Sequence, residues 1–101
     1  MVPSVPTQDL PVPEFVIERE VPDAGNLTDA QWREIAQKSV AVLQGLGPEI
    51  RWLHSYVTGD KVYCVYFAPD ETTIQEHARR AGLPANRVSA VRRLLDPMSA
   101  K

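Results

Sequence analysis

The sequence predicts an α+β domain, on three observations. Two runs rich in Val, Tyr, Trp and Phe, E-I-R-W-L-H-S-Y-V-T and K-V-Y-C-V-Y-F-A, flank Gly59-Asp60 and read as an antiparallel hairpin over 49–68. One stretch with apolar residues at helical spacing lies before this hairpin and another after it. Shorter β-type runs, F-V-I-E-R-E-V and V-S-A-V-R-R-L-L, stand near the two ends.

The first of these runs, Phe15 to Val21, alternates so that Phe15, Ile17 and Arg19 share one face and Val16, Glu18 and Glu20 the other. Pro22-Asp23-Ala24-Gly25-Asn26 breaks it. Thr28 then caps a helix, with Gln31 three residues on completing a capping box. Trp32, Ile35, Ala36, Ser39, Leu43 and Leu46 form its stripe, and Gly45, Gly47 and Pro48 end it. After the hairpin, Asp70 caps a second helix with the stripe Ile74, His77, Ala78 and Ala81, stopped by Gly82 and Pro84. The run Val88–Leu95 supplies a last strand, and Asp96-Pro97 closes the domain.

The order β-α-β-β-α-β builds a four-stranded antiparallel sheet with both helices on one face, the ferredoxin-like arrangement. Two helices leave the other face bare. A face bearing Tyr, Trp and His is poorly explained as plain solvated surface, so the expected state is a homodimer, sheet against sheet, as in a dimeric α+β barrel.

The 101 residues suit a single domain. Pro3, Pro6, Pro11 and Pro13 are four of the nine prolines, and residues 1–12 read as a Pro-rich flexible extension ahead of a domain at 13–101. A formal net charge of −2 gives no general attraction to nucleic acid or to an anionic membrane. Arg79, Arg80, Arg87, Arg92 and Arg93 cluster late in the chain, but read as solvated arginines paired with nearby acids. The paired-aromatic signature of the RNA-recognition module is missing from the third-strand run. There is no apolar run of about 20 residues to span a bilayer and no secretory leader pattern, so the expected compartment is the cytoplasm. The single cysteine excludes an internal disulfide and a Cys-cluster zinc motif.

The candidate chemistry lies on the hairpin. If the more uniformly apolar sides face the helices, then Phe15, Ile17, Leu53, Val57, Val65 and Phe67 pack inward. Glu18, Glu20, Trp52, His54, Tyr56, Cys64 and Tyr66 then share the bare face. Everything depends on the register. A two-residue turn at Gly59-Asp60 pairs Tyr56 with Tyr63 and separates His54 from Cys64. A bulged turn pairs Val57 with Lys61 and sets His54 opposite Cys64. The apolar assignment favours the second. In that register His54 and Cys64 form a borderline-soft pair suited to nickel, zinc, copper or cobalt, with Glu18 as an oxygen donor and Tyr56 and Tyr66 as further contacts to the bound species. Cys64 reads equally well as a buried small hydrophobe, and His54 as a hydrogen-bonded interface residue. His77, on the apolar stripe of the second helix, reads first as a satisfied core histidine and second as an additional metal ligand. No zincin, P-loop, G-x-S-x-G or dinucleotide fingerprint occurs, and no organic cofactor is expected.

Three stretches, P-E-F-V-I-E-R-E-V-P at 13–22, H-S-Y-V-T-G-D-K-V-Y-C-V-Y-F-A-P-D at 54–70 and E-H-A-R-R-A-G-L-P-A-N-R-V at 76–88, resemble a small bacterial family. That family is classed mainly as a domain of unknown function, and one member is described as a nickel-binding protein. The resemblance implies a dimeric ferredoxin-like fold and nickel binding. The leading expectation is therefore a small divalent-metal protein that sequesters or carries nickel, more a binder than an enzyme. The alternatives are a dimeric α+β-barrel enzyme acting on a small organic molecule and a non-catalytic dimer module.

Overall fold

The computed structural model describes residues 12–101. All but the last residue of the Pro-rich extension expected over 1–12 therefore lies outside the described residues. The elements are β1 (Glu14–Glu20), α1 (Asp29–Leu46), β2 (Arg51–Val57), β3 (Lys61–Phe67), α2 (Glu71–Ala81) and β4 (Arg87–Ala90), with short 3-10 turns at Ala24–Asn26 and Pro97–Ala100. The strands form one antiparallel sheet in the order β2-β3-β1-β4, with β3 and β1 at its centre. This is the ferredoxin-like α+β arrangement that the element order predicts.

Local chemistry sets the helix ends. The Thr28 side chain accepts a hydrogen bond from the Gln31 backbone N–H, and the Gln31 side chain accepts one from the Thr28 N–H, the reciprocal box expected from the spacing. Asp70 accepts from the Thr73 N–H and holds the start of α2. Gly82, at φ 70°, takes the left-handed position that ends α2.

The hairpin closes tightly. Thr58 N–H donates to the Lys61 carbonyl at 2.8 Å, so Gly59 and Asp60 are a two-residue loop and Tyr56 pairs with Tyr63. The ladder then slips once. His54 pairs with Val65 but Trp52 pairs with Tyr66, which makes Leu53 the extra residue of a bulge.

Since paired residues share a face, the register divides the sheet in two. The inner face, toward the helices, carries Phe15, Ile17 and Arg19 of β1, Val62, Cys64 and Tyr66 of β3, and Trp52, Ser55 and Val57 of β2. The open face carries Val16, Glu18, His54, Tyr56, Tyr63, Val65 and Phe67. The inward assignments of Val65 and Phe67, and the outward ones of Trp52, Cys64 and Tyr66, are therefore reversed from the apolar-side expectation. The turn length fixes the parity of β3, and the bulge returns Trp52 to the inner face.

The core gathers Phe15, Ile17, Ile50, Val62, Tyr66 and Ile74, with Trp32, Leu43 and Leu46 packed against it. The two helices are seated differently. α2 buries Ile74, His77, Ala78 and Ala81, whereas Ser39 is the one buried residue of α1.

The last strand is shorter than the run Val88–Leu95 predicts. Val91 N–H still donates to the Glu14 carbonyl, and the pairing with β1 ends there. Beyond that point Leu94 and Leu95 are 78% and 77% exposed.

Candidate functional site

Two places hold chemistry-bearing side chains, one on each face of the sheet. On the open face, His54 of β2 is exposed, and its ring meets Tyr56 edge-on with centroids 5.2 Å apart. Glu18 lies in the Tyr56–Tyr63 row and pairs with Lys61 at 3.7 Å. His54 and Glu18 are separated by the whole of β3, two strand spacings or about 10 Å. They are not ligands of one ion within one chain. Among the described residues, no three His, Cys, Asp or Glu side chains are grouped as a metal site.

The inner face holds the second cluster. Arg19 is 1% exposed although it is charged. Its Nη1 donates to the Pro84 carbonyl at 2.6 Å, its Nε to Cys64 Sγ at 3.3 Å and its Nη2 to the Tyr66 hydroxyl at 3.5 Å. Every one of these acceptors is formally neutral as an oxygen or thiol. No carboxylate among the described residues forms an ion pair with Arg19. Behind Tyr66 lies His77, fully buried, with its ring 5.2 Å from the Tyr66 ring and its Nε2 3.1 Å from Ser39 Oγ. His77 Nδ1 has no hydrogen-bond partner among the described residues.

Burial governs how these groups titrate. It pushes the Tyr66 phenol above its usual value, although the Arg19 cation pulls the other way. Burial also holds the His77 imidazole below its usual value, and Arg19 pushes it in the same direction. The interior is therefore a neutral hydrogen-bonding cluster arranged around one fixed cation.

A cavity of about 250 Å³ adjoins this cluster, between α1 and the inner faces of β2 and β3. Trp32, Ile35, Ala36 and Ser39 of α1 line one side, and Trp52, Ser55, Val57, Val62, Cys64 and Tyr66 line the other, with Arg19 among the lining groups. Val57, at the edge-strand rim, is 45% exposed.

The sequence-predicted site residues are thus divided. Glu18, His54 and Tyr56 lie on the open face, as expected. Cys64 and Tyr66 lie on the inner face, so the His54–Cys64 pair is not formed; β3 pairs Cys64 with Ser55 instead. His77 is a buried core histidine bonded to Ser39, the first of its two readings. Two arginines of the late cluster, Arg79 and Arg80, are bonded to Glu76, as the paired-acid reading holds, and they draw the Glu76 carboxyl down to about 2. Arg19 was not among the predicted site residues. Its signal was present in β1, where a charged residue occupies the phase otherwise filled by Phe15 and Ile17.

The surroundings of Cys64 bear on metal chemistry. A guanidinium 3.3 Å from the thiol opposes a second cation there, while it favours an anion. Of Cys64 and the two histidines, His54 is the one that faces solvent.

The fold has a solved counterpart. The chain superposes with a TM-score of 0.70 on the crystal structure of SCO4226 from Streptomyces coelicolor A3(2), at 18% identity, covering 81% of this chain and 99% of that one. No curated protein matches it. A family model described as nickel responsive protein SCO4226-like matches residues 15–91, all four strands and both helices. On that match over most of its length, the chain belongs to the SCO4226-like family of nickel responsive proteins.

Proposed function

We propose that this protein binds nickel on the open face of its sheet, between two copies of the chain, with His54 as the principal donor, and that it sequesters or carries the ion. The observation that carries this reading is the position of His54. It is an exposed imidazole on the face the helices leave bare, whereas Cys64 and His77 are buried beside the Arg19 charge. Imidazole suits nickel at neutral pH.

One chain offers a single such donor, so a site needs a second copy. The open face supports that pairing. Val16, Tyr63, Val65 and Phe67 form its half-buried to buried centre, with the Glu18–Lys61 ion pair beside them. A two-fold axis passing beside His54 would bring two His54 side chains together, each with the Tyr56 ring of its own copy against it.

The test is nickel binding by equilibrium dialysis of tag-free protein, with mass measured by light scattering. The expected result is one ion shared by two chains, weaker at acid pH because imidazole must be neutral to bind. His54→Ala should abolish this binding, and Cys64→Ala should keep it. Unchanged nickel binding by His54→Ala would overturn the assignment.

A further inference from the structure

We propose that the cavity beneath α1 is a binding site for a small organic monocarboxylate, with Arg19 receiving the carboxylate and the surrounding apolar wall receiving a short hydrocarbon or aromatic body. The inference does not depend on nickel, which concerns the opposite face of the sheet.

The first argument is the charge. A guanidinium is always protonated and carries five N–H donors. The three contacts that Arg19 makes leave two N–H groups without a partner among the described residues. Arginine is almost never fully buried unless it is paired, because an uncompensated buried charge is costly. Here the side chain is 1% exposed and has no carboxylate partner among the described residues. A carboxylate arriving from solvent would supply the missing charge and, through the planar fork, a geometry matched to those free donors.

The second argument is the shape and chemistry of the space. About 250 Å³ lies directly against Arg19. A dry engineered cavity of roughly 150 Å³ holds benzene, so this one holds a molecule of about ten heavy atoms. Its wall is mostly apolar, with the rings of Trp32 and Trp52 on opposite sides. The polar lining groups are Arg19, Tyr66, Cys64 and Ser39, together with Ser55, whose hydroxyl already accepts from Trp52 Nε1. A convergent polar end and an apolar body are the usual make-up of a small-molecule site.

The third argument is the neutrality of the neighbours. His77, the other basic group next to the cluster, is held toward its neutral form, so the cation that a ligand meets is Arg19 alone. One fixed positive charge selects a monoanion over a dianion, and the apolar wall selects against ions without a hydrophobic part.

The two cavity tryptophans are the chain's entire tryptophan content, so intrinsic fluorescence reports on this site directly. The experiment titrates the full-length protein with 3-phenylpropanoate, and with 3-phenylpropan-1-ol and acetate as controls. The expected result is saturable quenching or enhancement by 3-phenylpropanoate, with at least tenfold weaker binding of both the alcohol and acetate. Arg19→Met should remove the preference for the acid over the alcohol. Ala36→Phe, which fills the space from α1 without touching Arg19, should abolish the binding of both; it keeps the test decisive if Arg19→Met fails to fold. No saturable change with 3-phenylpropanoate, equal affinity for the alcohol, equal affinity for acetate, or full binding by folded Ala36→Phe would each overturn the proposal.

Discussion

Ser39 Oγ lies 3.1 Å from His77 Nε2, a buried hydrogen bond that joins the middle of α1 to the middle of α2. Its partner ring has no bond at Nδ1 among the described residues, where this contact is the imidazole's one hydrogen bond. Ser39→Ala removes it and leaves the ring unsatisfied at both nitrogens. Chemical denaturation should show a loss of about 1–3 kcal/mol, the usual cost of stranding a buried polar group. A loss near zero would mean that α1 is held by its apolar stripe alone.

The same histidine makes stability depend on pH. Its folded-state value lies below the ordinary 6.5, because burial and then Arg19 disfavour the charged ring. Between those two values the unfolded chain binds more protons than the folded one, so stability increases with pH. The contribution is complete above about pH 6.5 and is lost as pH falls toward the folded-state value. Urea midpoints measured from pH 7.5 down to 5.5 should therefore decline, and His77→Gln should decline less across the same window.

The β1–α1 loop is clamped to the hairpin turn by two backbone bonds, Val21 N–H to the Asp60 carbonyl and Gly25 N–H to the Gly59 carbonyl, both at 3.0 Å. A Cβ on Gly25 would lie 3.2 Å from Gly59 Cα and from the Thr58 carbonyl oxygen, both backbone atoms with little room to yield. Gly25→Ala should cost about 1–3 kcal/mol in a denaturation experiment. Gly45→Ala is the control. It lies in α1 with nothing within 4 Å of the added carbon, and should stabilise by about 0.5–1 kcal/mol.

Cys64 is 5% exposed and lies against Arg19 on the inner face. A thiol-specific reagent should leave it unmodified in the folded protein and label it fully in denaturant. Labelling of the native protein at the rate of a free thiol would contradict the inner-face register.

The fold was largely legible because each element carried its own signal. Thr28 with Gln31, Asp70 and Gly82 do what their residue types dictate; Gly59-Asp60 marks the hairpin, but its loop has two residues and not the bulged form that the apolar assignment favoured. The site was less legible, and the reason is parity. A strand exposes its faces by alternation, but β3 reads K-V-Y-C-V-Y-F, large or apolar on both sides, so alternation alone does not say which face is buried. Uniform apolarity pointed Val65 and Phe67 inward, whereas the inner face holds a thiol and a phenol that each accept a hydrogen bond from an arginine. The burial of His77 was legible because the stripe of α2 has a single clear phase. The cavity had no signature, since its lining is gathered from α1, β1, β2 and β3, far apart in the chain.

Leu53 gives β2 something like a reading frame. Trp52 and Ser55 are three apart and should oppose each other, yet Trp52 Nε1 donates to Ser55 Oγ at 2.9 Å on the same side, because Leu53 is spliced between them. Deleting Leu53 would make the ladder continuous while leaving every neighbour facing as it does now. Deleting Ser55 instead would set His54 opposite Cys64 on the inner face and Leu53 opposite Val65 on the open one, while Trp52 keeps its place opposite Tyr66. The strand thus has one position where the loss of a residue turns nothing over and others where it inverts the residues lying between the loss and the bulge.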